Sequence, residues 1–183
     1  CEAGIKVTAL PGAVACVTAL IISGLPTRRF CFEAFLPTDK KEHQRVLAEL
    51  QNETRTIVLY EAPHHLLRTL TELYEALGDR KASICRELTK KYETAFRTTL
   101  SQAVAYYTEN EPKGECVIVI EGKSVQEIEA EDQARWQQMS LEEHMEHYES
   151  QGNSRKEAMK LVAKDRGISK RDVYQALLEA EEA

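Results

Sequence analysis

"RTIVLYEAPHHLLRTL", Arg55–Leu70, is the stretch of this sequence that decides its fold. The β-branched and apolar residues of Arg55–Tyr60 predict a buried strand. After the short link "EAP", Pro63 opens a helix that runs to about Leu77 and stops at Gly78. A buried strand that leads directly into an amphipathic helix is typical of an α/β domain.

The same alternation of strands and helices extends on both sides of this stretch, as far as Gly122. Further strands are predicted at Ile5–Leu10, Phe30–Leu36, Ala82–Glu87, Thr94–Leu100 and Glu115–Glu121, and further helices at Ala13–Ser23, Lys40–Leu50 and Gln102–Thr108. The strands beginning at Ala82 and Thr94 form a pair, and "ECVIVIE" at Glu115–Glu121 has the uninterrupted apolar character of a central strand. We therefore expect an α/β fold with a mixed sheet of about five strands flanked by helices.

Beyond Gly122 the sequence changes character. Residues 121–149 hold nine acidic residues against two basic ones, and we interpret residues 123–139 as an acidic linker. Helix-capping signals then follow at Ser140, at Asn153 or Ser154, and at Ser169. Residues 140–183 therefore form a small helical bundle, and its helix, glycine turn and basic second helix have the outline of a helix-turn-helix.

The composition narrows the class of protein. With 183 residues, 43% hydrophobic and 30% charged, the chain has the make-up of a soluble globular protein. Its longest apolar stretch, Ala13–Ile22, is too short to cross a membrane. The formal net charge of -6 argues against broad nucleic-acid affinity, although the charges are segregated along the chain.

Metal-binding and disulfide signals are weak. Five cysteines without CxxC spacing predict reduced core thiols in a cytosolic protein rather than disulfides or zinc ligands. They are Cys1, Cys16, Cys31, Cys85 and Cys116. His144 and His147 lie three residues apart on a helix, but no third ligand has suitable spacing, so a solvated helix face is favoured over a zinc site and no metal is expected.

Three segments carry candidate chemistry, and each has an ordinary structural alternative. The Pro11–Gly12 loop in "VTALPGAVACVTAL" either presents backbone N–H groups to a ligand or is a simple turn. "YEAPHH", from Tyr60 to His65, offers a phenol, a carboxylate and two imidazoles, or else a carboxylate that favours a helix N-terminus beside exposed histidines. "CRELTKKYETAFR", from Cys85 to Arg97, is either a basic loop for a phosphate backbone or a solvated hairpin.

Taken together, four segments resemble one family. In order and spacing, "VTALPGAVACVTALIISGLPTRRFCFEAFLP", "RTIVLYEAPHHLLRTL", "CRELTKKYETAFRTTL" and "PKGECVIVIEG" are similar to the ribosomal RNA branch of the tetrapyrrole (corrin/porphyrin) methylase superfamily. The resemblance runs from about Gly4 to Gly122 and continues loosely in "GISKRDVY". It implies a two-domain enzyme that transfers a methyl group from S-adenosylmethionine to a ribose 2′-hydroxyl of a cytidine in 16S ribosomal RNA.

The resemblance also implies domain boundaries. Residues 1–12 correspond to the end of an amino-terminal methylase domain and the loop between domains, and residues 13–122 to the second α/β domain. The glycine-rich loop and the Asp-Ala-Gly-Thr-Pro-Gly segment of the family's first domain are absent from this sequence. We therefore expect the chain to represent the carboxyl-terminal portion of the enzyme, to be inactive alone, and to bind the cofactor weakly.

The family pattern assigns a cofactor site and a set of RNA contacts. The implied cofactor-binding residues are Pro11, Gly12, Ala13, Val14, Tyr60, Glu61, Ala62, Arg86, Glu87, Lys113, Gly114 and Glu115. Our choices for RNA contacts are Arg28, Arg29, Lys90, Lys91, Arg97, Lys170 and Arg171. The general base is not identified, with Glu87, Glu61 and Lys90 as candidates by chemistry alone.

Two departures from the family pattern bear on these contacts. Val14 stands where the family carries a small hydroxyl residue, so a contact there must come from the backbone. Ala62 and His65 stand where the family carries Ser and Arg, which weakens the helix cap before Pro63 by about 1 kcal/mol.

The implied partners are 16S ribosomal RNA in the small subunit and a second copy of the chain, in the cytoplasm. Two other functions stay open at this point. One is methylation of a precorrin or another small acceptor on the same fold. The other is a nucleic-acid-binding module without enzymatic activity, in which the α/β part supports the helical tail.

Overall fold

The computed structural model describes residues 2–181, so Cys1 lies outside the described residues. The chain divides into two compact units, which we call the α/β unit (Cys1–Lys123) and the helical unit (Ser124–Ala183). The α/β unit contains α1 (Ala15–Ser23), β1 (Phe30–Ala34), α2 (Lys40–Leu50), β2 (Thr56–Glu61), a 3₁₀ turn (Pro63–His65), α3 (Leu66–Leu77), β3 (Lys81–Arg86), β4 (Thr94–Thr99), α4 (Leu100–Glu109) and β5 (Cys116–Ile120). The helical unit contains α5 (Val125–Gln138), α6 (Leu141–Ser150), α7 (Arg155–Arg166) and α8 (Lys170–Glu181).

The five strands form one mixed sheet in the order β1-β2-β5-β3-β4. The β1 and β2 strands are parallel, and the other three neighbouring pairs are antiparallel. As predicted, β5 is central: every one of its residues is buried, and Ile118 lies between Leu59 of β2 and Ile84 of β3. The predicted pairing of β3 with β4 is also confirmed, with Ile84 opposite Phe96.

Alternate residues of the strands face two different cores. Ile57, Leu59 and Ile118 face the larger core, which α2, α3 and α4 cover with leucines such as Leu70 and Leu73. The residues between them in the strands face α1 and form a second core. It consists of Cys16, Ala19 and Leu20 of α1 and of Val58, Cys85, Val117 and Val119 of the sheet. This period-two division is what a sheet with both faces buried requires.

The strand predicted at the amino-terminal end is wrong. Residues 5–10 form no strand, and the side chains of Ile5, Val7 and Leu10 are 70–91% exposed. A strand needs a neighbour for its backbone hydrogen bonds, and no described strand lies beside this segment. In addition, α1 is buried on one face only, since Val17 and Ile21 are 41% and 67% exposed.

The helical unit corrects a further interpretation. Most of residues 123–139, interpreted as a linker, form α5, because Ser124 and Glu127 make a capping box in which each side chain accepts from the other residue's backbone N–H. The same arrangement caps α6 at Ser140, as predicted, and α7 at Ser154. A small core of Met145, Ala158, Val162, Ala163, Val173 and Leu177 holds the unit together.

His144 is the clearest departure from expectation in the helical unit. It is completely buried rather than on a solvated face, with its ring stacked on Trp136 at 4.2 Å. Arg166 Nε donates to His144 Nδ1 at 3.1 Å, and Asp165 Oδ2 lies 3.4 Å from His144 Nε2. The helix that delivers Trp136 is the segment that the sequence indicated to be a linker, and for that reason the burial was missed.

The four described cysteines are free and buried, as predicted. Burial raises the pKa of the Cys31 and Cys116 thiols to about 11, and also raises that of Cys85, so these thiols are protonated at neutral pH and unreactive. Among residues 2–181, no helix is long and apolar enough to cross a bilayer.

Candidate active site

Four segments that are distant in the sequence meet at one cavity in the α/β unit. It has a volume of about 320 Å³ and lies where β2 and β3 end and where β5 and α1 begin. Its walls are formed by Ala15, Phe35, Tyr60, Glu61, Glu87, Leu88, Lys90, Glu115, Cys116 and Val117. Apolar groups and three carboxylates therefore share one small volume.

Tyr60 connects this cavity to the start of α1. Val14, the residue before the helix, offers no side-chain cap, and the Tyr60 hydroxyl accepts a hydrogen bond from Cys16 N–H at 3.1 Å instead. Burial raises the pKa of Tyr60, which keeps this hydroxyl protonated. A remote phenol thus does what a hydroxyl at position 14 would do locally, and it fixes the helix that follows the Pro11–Gly12 loop.

Glu61 is buried, and both oxygens of its carboxylate are occupied. Oε1 accepts from Ala62 N–H at 2.7 Å, and Oε2 accepts from the Thr69 hydroxyl at 2.6 Å. The carboxylate thereby connects Ala62, the residue before the 3₁₀ turn, to α3, and the turn itself has no side-chain cap. His64 and His65 are exposed, as the structural alternative for this segment expects.

The loop after β3 is built on unusual backbone conformations. Glu87 and Thr89 have φ angles of 50° and 65°, in the left-handed region that side chains other than glycine seldom adopt. Thr89 N–H donates to Glu93 Oε2 at 2.7 Å, and Lys90 Nζ lies 3.2 Å from Glu87 Oε1. The result places the Glu87 carboxylate and the Lys90 ammonium side by side on the cavity wall.

Gly114 makes room for Glu87. A Cβ atom at Gly114 would lie 2.1 Å from Glu87 Oε1, and the glycine itself has a φ of 76°. Only glycine therefore allows the Glu87 side chain to lie across the segment before β5. This contact is the structural role of the "KGE" segment, since Lys113 is exposed and does not line the cavity.

A second cavity, of about 610 Å³, adjoins the first, because Phe35 and Glu61 line both. It lies between the segment after β1 and the first turns of α2 and α3. Its other lining residues include Thr38, Lys40, His43, Ala62, His64, His65, Arg68, Thr69 and Glu72. This second cavity thus combines the donors of Lys40, His64, His65 and Arg68 with the carboxylates of Glu61 and Glu72.

The structure brings some of the predicted cofactor residues together and leaves others apart. Tyr60, Glu61, Glu87 and Glu115 line the first cavity, and Ala62 lines the second. The others, listed here, line neither cavity: Pro11, Gly12, Ala13, Val14, Arg86, Lys113 and Gly114. Residues 11–14 are exposed to solvent.

The predicted RNA-contact residues also fall into separate places. Lys90 lines the first cavity, and Lys91 is exposed beside it in the same loop. Arg28 and Arg29 are exposed just before β1, whereas Arg97 donates from Nε to Ile22 O at 3.0 Å and so caps the end of α1. In the helical unit, the pair Lys170 and Arg171 occupies the first turn of α8.

Phe35 is one of the cavity residues that sequence reasoning missed, together with Cys116 and Val117. In "FCFEAFLP" it reads as one more apolar residue of a buried strand, but it is 60% exposed. The alternation of buried and exposed residues is broken here by a register shift between β1 and β2. Such a shift depends on pairing with another strand, so the local sequence does not reveal it.

In comparison with known proteins, a family profile matches the α/β unit, and individual relatives match across both units. The sequence profile of the family described as Tetrapyrrole (Corrin/Porphyrin) Methylases matches residues 1–104. A protein named ribosomal RNA small subunit methyltransferase I from Bacillus subtilis (strain 168) is 44% identical over 175 residues, which is 96% of this chain and 60% of that protein. Proteins of the same name from Halalkalibacterium halodurans and Synechocystis are 47% and 44% identical, over 93% and 98% of this chain and 58% and 63% of their own. The chain thus spans about 60% of the length of these relatives.

Two solved structures share the fold. Cobalt precorrin-4 methyltransferase, CbiF, a cobalamin biosynthetic enzyme, is 17% identical with a TM-score of 0.50, covering 66% of this chain and 54% of its own. The methyltransferase CobJ is 21% identical with a TM-score of 0.51, covering 66% and 53%. The α/β arrangement with a mixed five-stranded sheet is therefore shared with proteins of quite different sequence.

Proposed function

Because this chain belongs to the tetrapyrrole (corrin/porphyrin) methylase family, we propose that it is part of an S-adenosylmethionine-dependent methyltransferase that acts on ribosomal RNA of the small subunit. The proposed acceptor is the 2′-hydroxyl of a cytidine in 16S ribosomal RNA. The convergence of four distant segments on one cavity carries the proposal, and the names of relatives 44–47% identical to the chain support the RNA substrate.

The cavity has the chemistry that this cofactor requires. Ala15, Leu88 and Val117 offer apolar walls to a purine or a methylthio group, while the carboxylates of Glu87 and Glu115 favour a cationic sulfonium and ammonium. When bound, the cofactor supplies an already activated methyl group. The chain's own task is to align donor and acceptor and to exclude water, an effect worth about 7–11 kcal/mol.

The exposed Pro11–Val14 segment does not reach the cavity, and we propose that this chain forms one wall of the cofactor site. The isolated 183-residue chain then binds the cofactor weakly and transfers no methyl group. Tyr60 would hold the start of α1 at the cavity through its bond to Cys16 N–H.

Glu87 is the general base that we favour among the three candidates. Glu61 already accepts two hydrogen bonds, and Lys90 is a cation that holds the Glu87 carboxylate at 3.2 Å. Glu87 Oε1 or Oε2 would accept the 2′-hydroxyl proton, and the freed electron pair of the oxygen would form the new C–O bond while the bond from the methyl carbon to sulfur breaks and sulfur keeps its electrons. Lys90 would then offset the charge that develops beside it.

RNA is proposed to bind along the cationic residues nearest the cavity, namely Lys90 and Lys91, with Arg28, Arg29, Lys170 and Arg171 as further phosphate contacts. Arg97 is the weakest of the choices because its guanidinium caps α1. A homodimer and a cytoplasmic location, where ribosomes are assembled and used, complete the proposal.

The proposal is tested with the protein expressed from its complete reading frame, labelled S-adenosylmethionine, and small ribosomal subunits that lack the modification. We expect label in 16S RNA, at a cytidine whose 3′-phosphodiester has become resistant to alkali. Absence of label from RNA would overturn the proposal. Label in a precorrin instead would favour the small-acceptor alternative, and salt-sensitive RNA binding without transfer would favour the non-enzymatic module.

In the same assay, at saturating cofactor, Glu87→Gln lowers kcat by about 100-fold because proton removal is lost, while the KM for RNA changes little. Glu111→Gln is the matched control, since Glu111 is exposed and lies outside both cavities. An unchanged kcat in Glu87→Gln would remove Glu87 from this role and leave the methyltransferase proposal in place.

A further inference from the structure

Phe35 is the aromatic residue of the α/β unit that lies between the two cavities, at the end of a distorted strand. It is 60% exposed, and it forms part of the wall of both cavities. An apolar ring in such a place loses hydrophobic stabilisation unless a ligand covers it.

The backbone of β1 is distorted in the way that brings Phe35 to this place. Phe32 pairs with Val58 and Ala34 with Leu59, so one residue of β1 is passed over in the register with β2. Ala34 has a φ of 52°, a conformation that costs a residue with a Cβ about 1–3 kcal/mol. Bulges of this kind redirect a side chain, and they are frequent beside active sites.

The shift moves Phe35 to the face of the sheet that carries Tyr60. Without the bulge, Phe32 and Phe35 would lie on opposite faces, since side chains alternate along a strand. Instead both rings contact Tyr60 edge-on, with ring centroids 4.9 Å away for Phe32 and 5.7 Å for Phe35. Among residues 2–181 no ring stacks face to face on Phe35, so a flat face of this ring is available.

The ring is fixed on both sides. Tyr60 is held through its hydroxyl by Cys16 N–H, and the chain after Phe35 is held where His43 Nδ1–H donates to Pro37 O at 3.0 Å. A rigid aromatic ring needs no further ordering when a flat partner stacks on it, and a rigid platform therefore binds more tightly than a mobile one.

The surroundings select the kind of flat partner. On one side of Phe35 lies the cavity proposed for the methyl donor. On the other lie the donors of Lys40, His64, His65 and Arg68, together with Glu72, whose carboxylate is 3.8 Å from Arg68 Nε. A stacking face next to cationic and imidazole donors is the usual arrangement for an unpaired base with its phosphate and base edges nearby. A second protein would favour an apolar surround instead.

We infer that Phe35 is the stacking platform for an unstacked nucleobase of the RNA, which places the ribose of that nucleotide at the junction of the two cavities. The inference rests on the proposed RNA methyltransferase function and names a substrate contact within it. A base must leave its stack before a side chain can take hold of it, and an aromatic partner replaces part of the stacking that is lost.

The test compares three substitutions in the protein expressed from its complete reading frame. Phe35→Leu keeps an apolar side chain but removes the ring, Phe35→Tyr keeps the ring, and Phe30→Leu removes an exposed phenylalanine of the same strand that lines neither cavity. The readouts are the KM for small ribosomal subunits, the cofactor Kd by calorimetry and the thermal midpoint.

We expect Phe35→Leu to raise the KM for RNA by about 10- to 100-fold, since that is the range for loss of one base–aromatic stack. The cofactor Kd should change by less than about 3-fold, because a leucine still supplies an apolar wall to the first cavity. Phe35→Tyr and Phe30→Leu should stay within about 3-fold of the wild type on the same scale. Wild-type KM in Phe35→Leu, or a parallel loss of cofactor affinity, would overturn the inference. A wild-type protein that transfers no methyl group to RNA would instead overturn the proposed function.

Discussion

The α/β unit and the helical unit use different means to reach a defined structure. In the helical unit, three capping boxes at Ser124, Ser140 and Ser154 fix where helices begin, and each box lies within four residues of sequence. In the α/β unit, the central strand β5 is formed by pairing with β2 and β3, which lie far from it in the sequence. Local signals thus specify one unit, and distant pairing specifies the other.

The comparison extends to the polar groups. His144 in the helical unit is buried by neighbours on its own and adjacent helices, and its partners hold it in place. In the α/β unit, Glu87 and Phe35 are held by distorted backbone and are left partly open to a cavity. Strain and exposure together mark a binding surface, whereas complete burial against a stacked ring marks a structural one, even though His144 Nε2 has no hydrogen-bond partner among the described residues.

The strongest test of this contrast is a cavity in the central strand. Ile118→Ala removes a completely buried side chain and lowers the free energy of unfolding by about 2–5 kcal/mol. Urea unfolding of the chain is followed by circular dichroism and by the fluorescence of the single tryptophan, Trp136, which belongs to the helical unit. The circular dichroism transition should move to lower urea, and the tryptophan transition should not.

Ile21→Ala is the matched control, since this isoleucine of α1 is 67% exposed and its loss costs less than about 1 kcal/mol. Equal shifts of both probes in Ile118→Ala would show that the two units unfold together, and the contrast between them would then fail as an energetic statement.

Acidification is the second test, and it acts on the helical unit. Burial, followed by the nearby Arg166 guanidinium, lowers the pKa of His144 below 6.5, although Asp165 opposes this. The unfolded chain therefore takes up a proton at higher pH than the folded one, and the stability of the unit is complete above pH 6.5 and is lost as the pH falls through the lowered pKa.

Urea midpoints measured by Trp136 fluorescence should thus fall between pH 7.5 and pH 5.5. In His144→Gln this pH dependence should disappear, whereas His147→Gln should keep it, because His147 is exposed. The same slope with pH in His144→Gln and the wild type would assign the effect to other groups.

The smallest expected effect comes from a single cap. Ser154→Ala removes the hydroxyl that accepts from Glu157 N–H at the start of α7, at a cost of about 1 kcal/mol in the helical unit. Ser150→Ala, at an exposed serine outside any capping box, should change the Trp136 midpoint by less than half as much. If the two variants lose equal stability, the helix starts do not depend on their caps.

These two kinds of structure explain what could be predicted from the sequence. The prediction of Lys40–Leu50 as a helix is correct at both ends, since the Asp39 cap and the amphipathic pattern are both local. Ile5–Leu10 is as apolar as the observed strands, but whether it forms a strand depends on a neighbouring strand, which its own sequence does not encode. The predicted bounds of β2, β3 and β4 are within one residue of the structure, because their apolar patterns, like the cap of α2, are local signals.

For the site, the segments were predictable and their individual roles were not. The sequence predicts functional residues at the ends of β2 and β3. Only the structure shows that Glu61 accepts two internal hydrogen bonds and that Glu87 lies across Gly114. Phe35 and His144 were missed because a register shift and a stacked tryptophan place them, and both depend on residues elsewhere in the chain.

The bond from Cys16 N–H to the Tyr60 hydroxyl has a consequence for the order of folding. Most helices of this chain are capped from within their own first turn and are able to form early, whereas the start of α1 waits for β2. The segment that precedes α1 therefore becomes ordered only after the sheet has assembled. In the folded protein the amide of Cys16 opens whenever Tyr60 leaves its place, so the exchange of this one proton with solvent records how often the cavity wall comes apart.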